Sequence, residues 1–181
     1  MRPKVGPGAG RLSVVAGTSA VDQADVEAVA RLLGRWPKGA FVVVVRDAKG
    51  GPVVIRNAPL LYDGTPMPTR YWLVGAVERV AVSRLESEGG VARAEAVVPA
   101  DELGAAHRRA AAEREAAIPE DWTGPRPSGG VGGTRMGVKC LHCHYAAFLA
   151  ETGDPVGRWV ADQLARSRDG YGGLLPAPGR L

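Results

Sequence analysis

The sequence predicts an α+β domain, a small antiparallel sheet packed with helices. Three observations predict it. Two β-branched runs, FVVVV (Phe41 to Val45) and PVVIR (Pro52 to Arg56), flank the Gly-containing connection DAKGG, a combination that reads as a hairpin. A further strand-like piece, RYWLVG (Arg70 to Gly75), follows within a few turns of chain. Before and after these runs the apolar residues recur at helical rather than alternating spacing.

Residues up to about Gly17 are rich in Gly, Pro and small side chains and read as a flexible N-terminal arm, whose order would come from docking. A single domain is expected over 18–168, with a loose C-terminal tail over 169–181. The first helix is VDQADVEAVARLLG, with Thr18 and Ser19 as N-cap candidates, Asp22 in a capping-box position, and Val26, Val29, Ala30 and Leu33 on one face. Gly34 stops it. In the hairpin, Val42 to Val45 do not alternate with polar residues, so that strand should be covered on both faces and lie centrally. The segment NAPLLYDGTPMPT holds Pro59, Pro66 and Pro68 with Asp63-Gly64, a set that fixes several dihedrals and makes a rigid connection.

AVERVAVSRLESE places Val77, Val80, Ala81 and Leu85 at helical spacing and ends at Gly89-Gly90, which predicts a helix packed on the sheet. VARAEAVV is read as an edge strand. Pro99 then opens a long Ala-rich charged helix, PADELGAAHRRAAAEREAAI, expected to be more solvated than buried, with His107 at its surface. Residues 119–138, PEDWTGPRPSGGVGGTRMGV, form a Gly- and Pro-studded loop of a length that points to function or disorder. It leads into the helix KCLHCHYAAFLAETG, and Asp154-Pro155 caps a last helix, VGRWVADQLARS.

The 181 residues suit one well-cored domain. The net charge of +4 comes from scattered arginines rather than a basic stripe with interleaved aromatics, so nucleic-acid binding is not expected. The N-terminal apolar run, Leu12 to Gly17, is too short and broken for a signal-peptide core of roughly 7–15 residues. No run approaches the ~20 apolar residues that span a bilayer, so a cytoplasmic protein with no membrane partner is expected.

Cys140-Leu141-His142-Cys143-His144 fits the C-x-x-C-H pattern of c-type haem attachment. That chemistry needs export and a distal axial ligand, and neither is visible, so haem is not expected. On a helix, Cys140, Cys143 and His144 share one face about 100° wide while His142 points away. A structural zinc site wants a fourth ligand, and with no second C-x-x-C or H-x-x-H pair zinc is not expected either; the metal set is empty and no cofactor is called for. Cys140 beside Lys139 at a helix start has the surroundings that lower a thiol pKa, with His144 as its base at i+4, but cysteine is also among the commonest buried residues.

Gly132 to Gly137 is G-x-x-x-x-G, yet Val138 separates it from Lys139 and Cys140 stands where a magnesium-binding hydroxyl belongs, so a nucleoside-triphosphate loop is not matched. The general physics survives: glycines turn amides inward and a helix N-terminus favours an anion. A small anionic or phosphorylated ligand is therefore the leading expectation, with Arg126, Gly132, Gly133, Arg135, Lys139, Asp63 and Tyr71 as ligand-binding residues and Cys140, His142 and His144 as catalytic candidates. A protein-interaction module, using the rigid DGTPMPT loop and Tyr71-Trp72, is the alternative. A Cys140-dependent enzyme is another.

The stretches NAPLLYDGTPMPTRYWLVG, AVSRLESEGG, GPRPSGGVGGTRMGVKCLH and DPVGRWV together resemble the actinobacterial family called domain of unknown function 501, over about residues 22 to 165. The resemblance implies a small bacterial cytoplasmic protein of unassigned activity, with a link to cell division or phosphate metabolism, and it sets the interaction-module alternative in the division or envelope machinery. It marks Asp63, Gly64, Thr65, Pro66, Tyr71 and Trp72 in one block and Gly137, Lys139, Cys140, His142 and His144 in another. This chain departs from the family pattern CLHAH by carrying Cys143 in place of Ala, which makes the C-x-x-C pair incidental on that reading.

Overall fold

The computed structural model describes residues 12–14 and 22–170. Its centre is a four-stranded antiparallel sheet in the order β1 (Ser13–Val14), β2 (Phe41–Arg46), β3 (Pro52–Asn57), β4 (Tyr71–Leu73). β2 and β3 form the expected hairpin, and the turn is held by Asp47, whose Oδ1 accepts from the amides of Lys49 and Gly51, both at 2.8 Å. Part of the segment read as an arm joins the sheet, since Ser13 and Val14 pair with Arg46 and Val45. β2 is thus an inner strand, as its unbroken valine run implies.

Both faces of the sheet are covered. Phe41, Val43, Ile55 and Val74 pack with Val29 of α1 (Gln23–Leu33) on one side. On the other, Val44, Val45, Val54 and Leu73 join the large core built by the remaining helices. The register of β2 against β3 shifts between Val43 and Val45, and this bulge lets Val44 and Val45 in succession serve the same core where strict alternation would turn one of them away. α1 begins at Gln23, and Asp22 is itself the cap, accepting from the Ala24 amide at 3.2 Å. Thr18 and Ser19 lie outside the described residues. Gly34, left-handed at φ 69°, closes the helix as expected.

The helical half departs from expectation in three places. α2 (Ala76–Ser87) buries Glu78, Ala81, Val82 and Leu85 and exposes Val77 and Val80. Of the expected stripe, Ala81 and Leu85 are buried as read, while Val82 and the carboxyl-bearing Glu78 take the places expected of Val77 and Val80. VARAEAVV is not an edge strand but α3 (Gly90–Val97). Its Ala, Arg and Glu content favours a helix, and a side chain at Gly90 would come within 2.4 Å of the Leu85 carbonyl, so glycine there lets the chain fold from α2 directly into α3. α4 (Ala100–Ala116) is less solvated than its charge suggests, because Leu103, Ala106, His107 and Arg114 are buried. Arg114 is 2% exposed and His107 7%.

α5 (Leu141–Leu149) is the central helix, touching β4, α2 and α6 (Pro155–Gly170). Leu141 and Ala146 are fully buried on it, and a side chain at Gly157 of α6 would overlap the His144 carbonyl, a measure of how closely the two helices cross. Among the described residues no helix is long and apolar enough to cross a membrane.

Candidate functional site

The Gly-rich loop is bound to the body of the protein by two polar side chains of α4. The Arg114 guanidinium donates to the carbonyls of Pro68 at 3.0 Å, Gly130 at 3.4 Å and Gly129 at closer range. His107 takes the Val131 amide on Nδ1 at 3.1 Å and donates from Nε2 to the Gly137 carbonyl at 3.0 Å. Accepting on one nitrogen and donating from the other defines a neutral imidazole, and burial, the main cause, holds its pKa below the ordinary histidine value. A side chain at Gly130 would strike His107 at 2.4 Å. Gly132 (φ 63°) takes a left-handed turn against Cys143. These glycines serve close approach of backbone to α4 and α5. Gly133 donates its amide within the loop, to the Gly130 carbonyl at 3.0 Å.

At the mouth of α5 the free amides meet carboxylates from the protein itself. Val138 donates to Glu95 Oε1 of α3 at 2.6 Å, and Leu141 to Glu86 Oε1 of α2 at 2.5 Å. Each carboxylate sits where the helix N-terminus would otherwise attract a free anion. Lys139 and Arg135 are exposed and make no hydrogen bond or ion pair among the described residues. Arg126, also exposed, is paired with Glu115 and donates to the Trp122 carbonyl at 3.3 Å.

Cys140 is the N-cap of α5 and is extended, φ −157° and ψ 149°. The helical wheel therefore does not apply to it, and its neighbours differ from those that 100° steps predict. Its Sγ lies 3.3 Å from Sγ of Cys143. The histidine beside it is His142, not His144: one donor atom each of Glu86, Cys140 and His142 lie within 4.8 Å of one another. His142 Nδ1 is 3.2 Å from Glu86 Oε1, and its Nε2 is 3.2 Å from Ser83 Oγ and 3.4 Å from the Arg79 carbonyl. Every ring contact except the serine is with an acceptor, an arrangement that suits a doubly protonated ring. The thiol of Cys140 is drawn well below the ordinary range, first by the hydrogen bond from Cys143 and then, against the cost of burial, by His142. The His142 pKa is raised in turn, by Cys140 first and by Glu86. Cys143, facing the Cys140 anion and half-buried, is pushed up. The site brings the Cys140 and Cys143 sulfurs, the His142 ring and the Glu86 carboxylate together. The same Glu86, Cys140 and His142, with Cys143 alongside, are the residues that could hold a soft divalent metal.

His144 lies apart from this cluster. Its Nδ1 donates to the Asp154 carboxylate at 2.9 and 3.1 Å, and its ring meets that of His107 edge-on at 5.8 Å. Tyr71 donates to Glu113 at 2.9 Å, and burial followed by that carboxylate pushes its phenol up to about 12. Asp63 is exposed and accepts from the Thr65 amide at 2.9 Å, an Asx turn that shapes the DGTP loop. A small cleft of about 40 Å³ reaches Cys143 between Tyr71, Arg109, Glu113 and Gly132, room for a few waters but not for a nucleotide. Of the residues singled out from sequence, Cys140 and His142 come together. Glu86, Glu95, Arg114 and the role of His107 were missed; nothing local in the sequence marks them, since each acts on a segment distant in the chain.

The family described as protein of unknown function (DUF501) matches residues 43–162, a span that contains every residue of the cluster. No curated protein matches the chain, and no solved structure does.

Proposed function

The chain belongs to the DUF501 family of unknown function, and within it we propose that this protein acts through a reactive thiolate, Cys140, held ionised by Cys143 and by a His142 ring that Glu86 orients. The observation that carries this reading is the position of Cys140: an extended N-cap whose sulfur lies 3.3 Å from that of Cys143 and within 4.8 Å of a His142 ring nitrogen. A helix N-terminus and an adjacent cation stabilise a thiolate, and a histidine oriented by a third group is the general arrangement for activating a sulfur nucleophile. The substrate on this reading is an electrophile at carbon or sulfur. The test is alkylation by iodoacetamide near neutral pH, followed by mass spectrometry: Cys140 should react much faster than a free cysteine, and His142→Ala should slow it. A Cys140 no faster than a model thiol would sink the proposal.

A second reading, binding of a phosphate-bearing ligand, is favoured by Arg135 and Lys139, exposed cations in the segment that leads into the same helix. Calorimetry with inorganic phosphate on the wild type and on Lys139→Ala tests it. Absence of binding, or equal binding to both, rejects it.

A further inference from the structure

From the contact between the two sulfurs we propose that Cys140 and Cys143 work as a dithiol pair that exchanges electrons with disulfides, Cys140 as the attacking thiol and Cys143 as the resolving one. The inference rests on the reactive-thiolate reading above and adds the substrate class. Its geometric basis is the C-x-x-C spacing across a helix start. The extended Cys140 and the first-turn Cys143 bring their Sγ atoms to 3.3 Å, near enough that small side-chain rotations make a disulfide of about 2.05 Å. The two sulfurs are also unequal. Cys140 faces His142, while Cys143 packs on the backbone of Gly132, where an added Cβ would lie 3.2 Å from its Sγ.

The reaction balances as follows. The Cys140 thiolate attacks one sulfur of a disulfide RSSR′, forming the mixed disulfide Cys140–S–S–R and releasing R′S⁻. Cys143 gives its proton to that departing thiolate, and its own sulfur attacks Cys140, releasing RS⁻, which takes a proton from water. The products are the Cys140–Cys143 disulfide and two thiols; the two electrons of the protein dithiol reduce the substrate disulfide. The step order has a physical reason. Cys140 stands extended at the helix mouth beside His142, whereas Cys143 sits inside the first turn against the Gly132 backbone, so Cys140 is placed to meet the substrate disulfide and Cys143 to reach only Cys140. His142, with Glu86 on one side and the Arg79 carbonyl on the other, stays in place to stabilise the Cys140 thiolate again on reduction.

The experiment treats the reduced full-length chain with glutathione disulfide and reads intact mass over time. The expected result is that wild type passes through at most a transient glutathione adduct and ends two hydrogens lighter, with an internal disulfide reversed by dithiothreitol. Cys143→Ala and Cys143→Ser, whose folding is checked by circular dichroism, should instead accumulate a lasting single adduct on Cys140. Cys140→Ala should react at least tenfold more slowly. If wild type keeps the adduct as the Cys143 variants do, the dithiol proposal falls while the reactive-thiolate reading stands. If Cys140 in wild type neither forms an adduct nor reacts with iodoacetamide, both fall. A preparation that carries zinc and resists glutathione disulfide until a chelator removes the ion would likewise overturn the proposal in favour of a closed metal centre.

Discussion

His144 and Asp154 form a buried pair: Nδ1 lies 2.9 Å from the carboxylate, and each side chain is 1% exposed. The same carboxylate caps α6 by accepting from the Gly157 amide at 2.8 Å. One side chain thus closes a helix and fixes the ring of its neighbour helix at their crossing. Among the described residues the outer ring nitrogen of His144 has no hydrogen-bond partner, which makes Asp154 the anchor of the imidazole.

Asp154→Ala is expected to destabilise the protein by about 3–5 kcal/mol, the usual cost of stripping one partner from a buried polar pair. Asp154→Asn keeps an acceptor for the cap and should cost less. Urea denaturation of both variants measures the difference, and equal losses would show that the pairing with His144 rather than the cap dominates.

Arg114 holds three loop carbonyls at once. Arg114→Met should cost about 3 kcal/mol or more, given roughly 1.5–3 kcal/mol for each hydrogen bond to a charged group and partial compensation by packing. Arg114→Lys should recover little of it, because an ammonium lacks the planar fork that reaches Pro68, Gly129 and Gly130 together. Limited proteolysis should then cut within 119–138 before the rest of the chain.

Alkylation of Cys140 should be nearly independent of pH from 8 down to about 6 and fall as pH drops toward its lowered value, about 4. A free cysteine with pKa near 8.5 loses about tenfold per unit across that range. The stability sign follows from the same shift. A depressed thiol pKa contributes stability that is full above the unfolded value of about 8.5 and is lost as pH falls through the folded one. Cys143→Ala removes the first cause of the shift, so the reactivity midpoint should move up; an unchanged midpoint would assign the shift to His142 instead.

Glu78 carries the opposite sign. Its pKa is raised, chiefly by burial, so the penalty for charging it grows as pH rises through the folded pKa. Glu78→Gln is expected to raise the thermal midpoint at pH 7, with the gain shrinking toward pH 4. A variant less stable at both values would mean that the carboxylate earns its place through its own helix amide.

The sheet and helix α1 are legible in the sequence because each signal is local: β-branched runs around a Gly turn, an apolar stripe, a terminal glycine. The errors have separate physical origins. His107 and Arg114 look solvated in any hydropathy pattern, and what buries them is a set of backbone carbonyls and an amide donated by a loop that sequence cannot bring near. In α2 the stripe through Ala81 and Leu85 is legible, but the helix is turned so that Glu78 and Val82, not Val77 and Val80, complete it. Cys140 and His144 were put on one face by assuming that the helix already included Cys140; one extended residue undoes that geometry and puts His142 in its place.

Glu86 Oε1 accepts from the Leu141 amide and faces His142 Nδ1 with the same atom. Folding and reactivity therefore draw on a single oxygen, and neither can be tuned alone. A substitution chosen to sharpen or blunt Cys140 through Glu86 will also loosen the seam between α2 and α5, so heat resistance and thiol reactivity in this protein should vary together from one variant to the next.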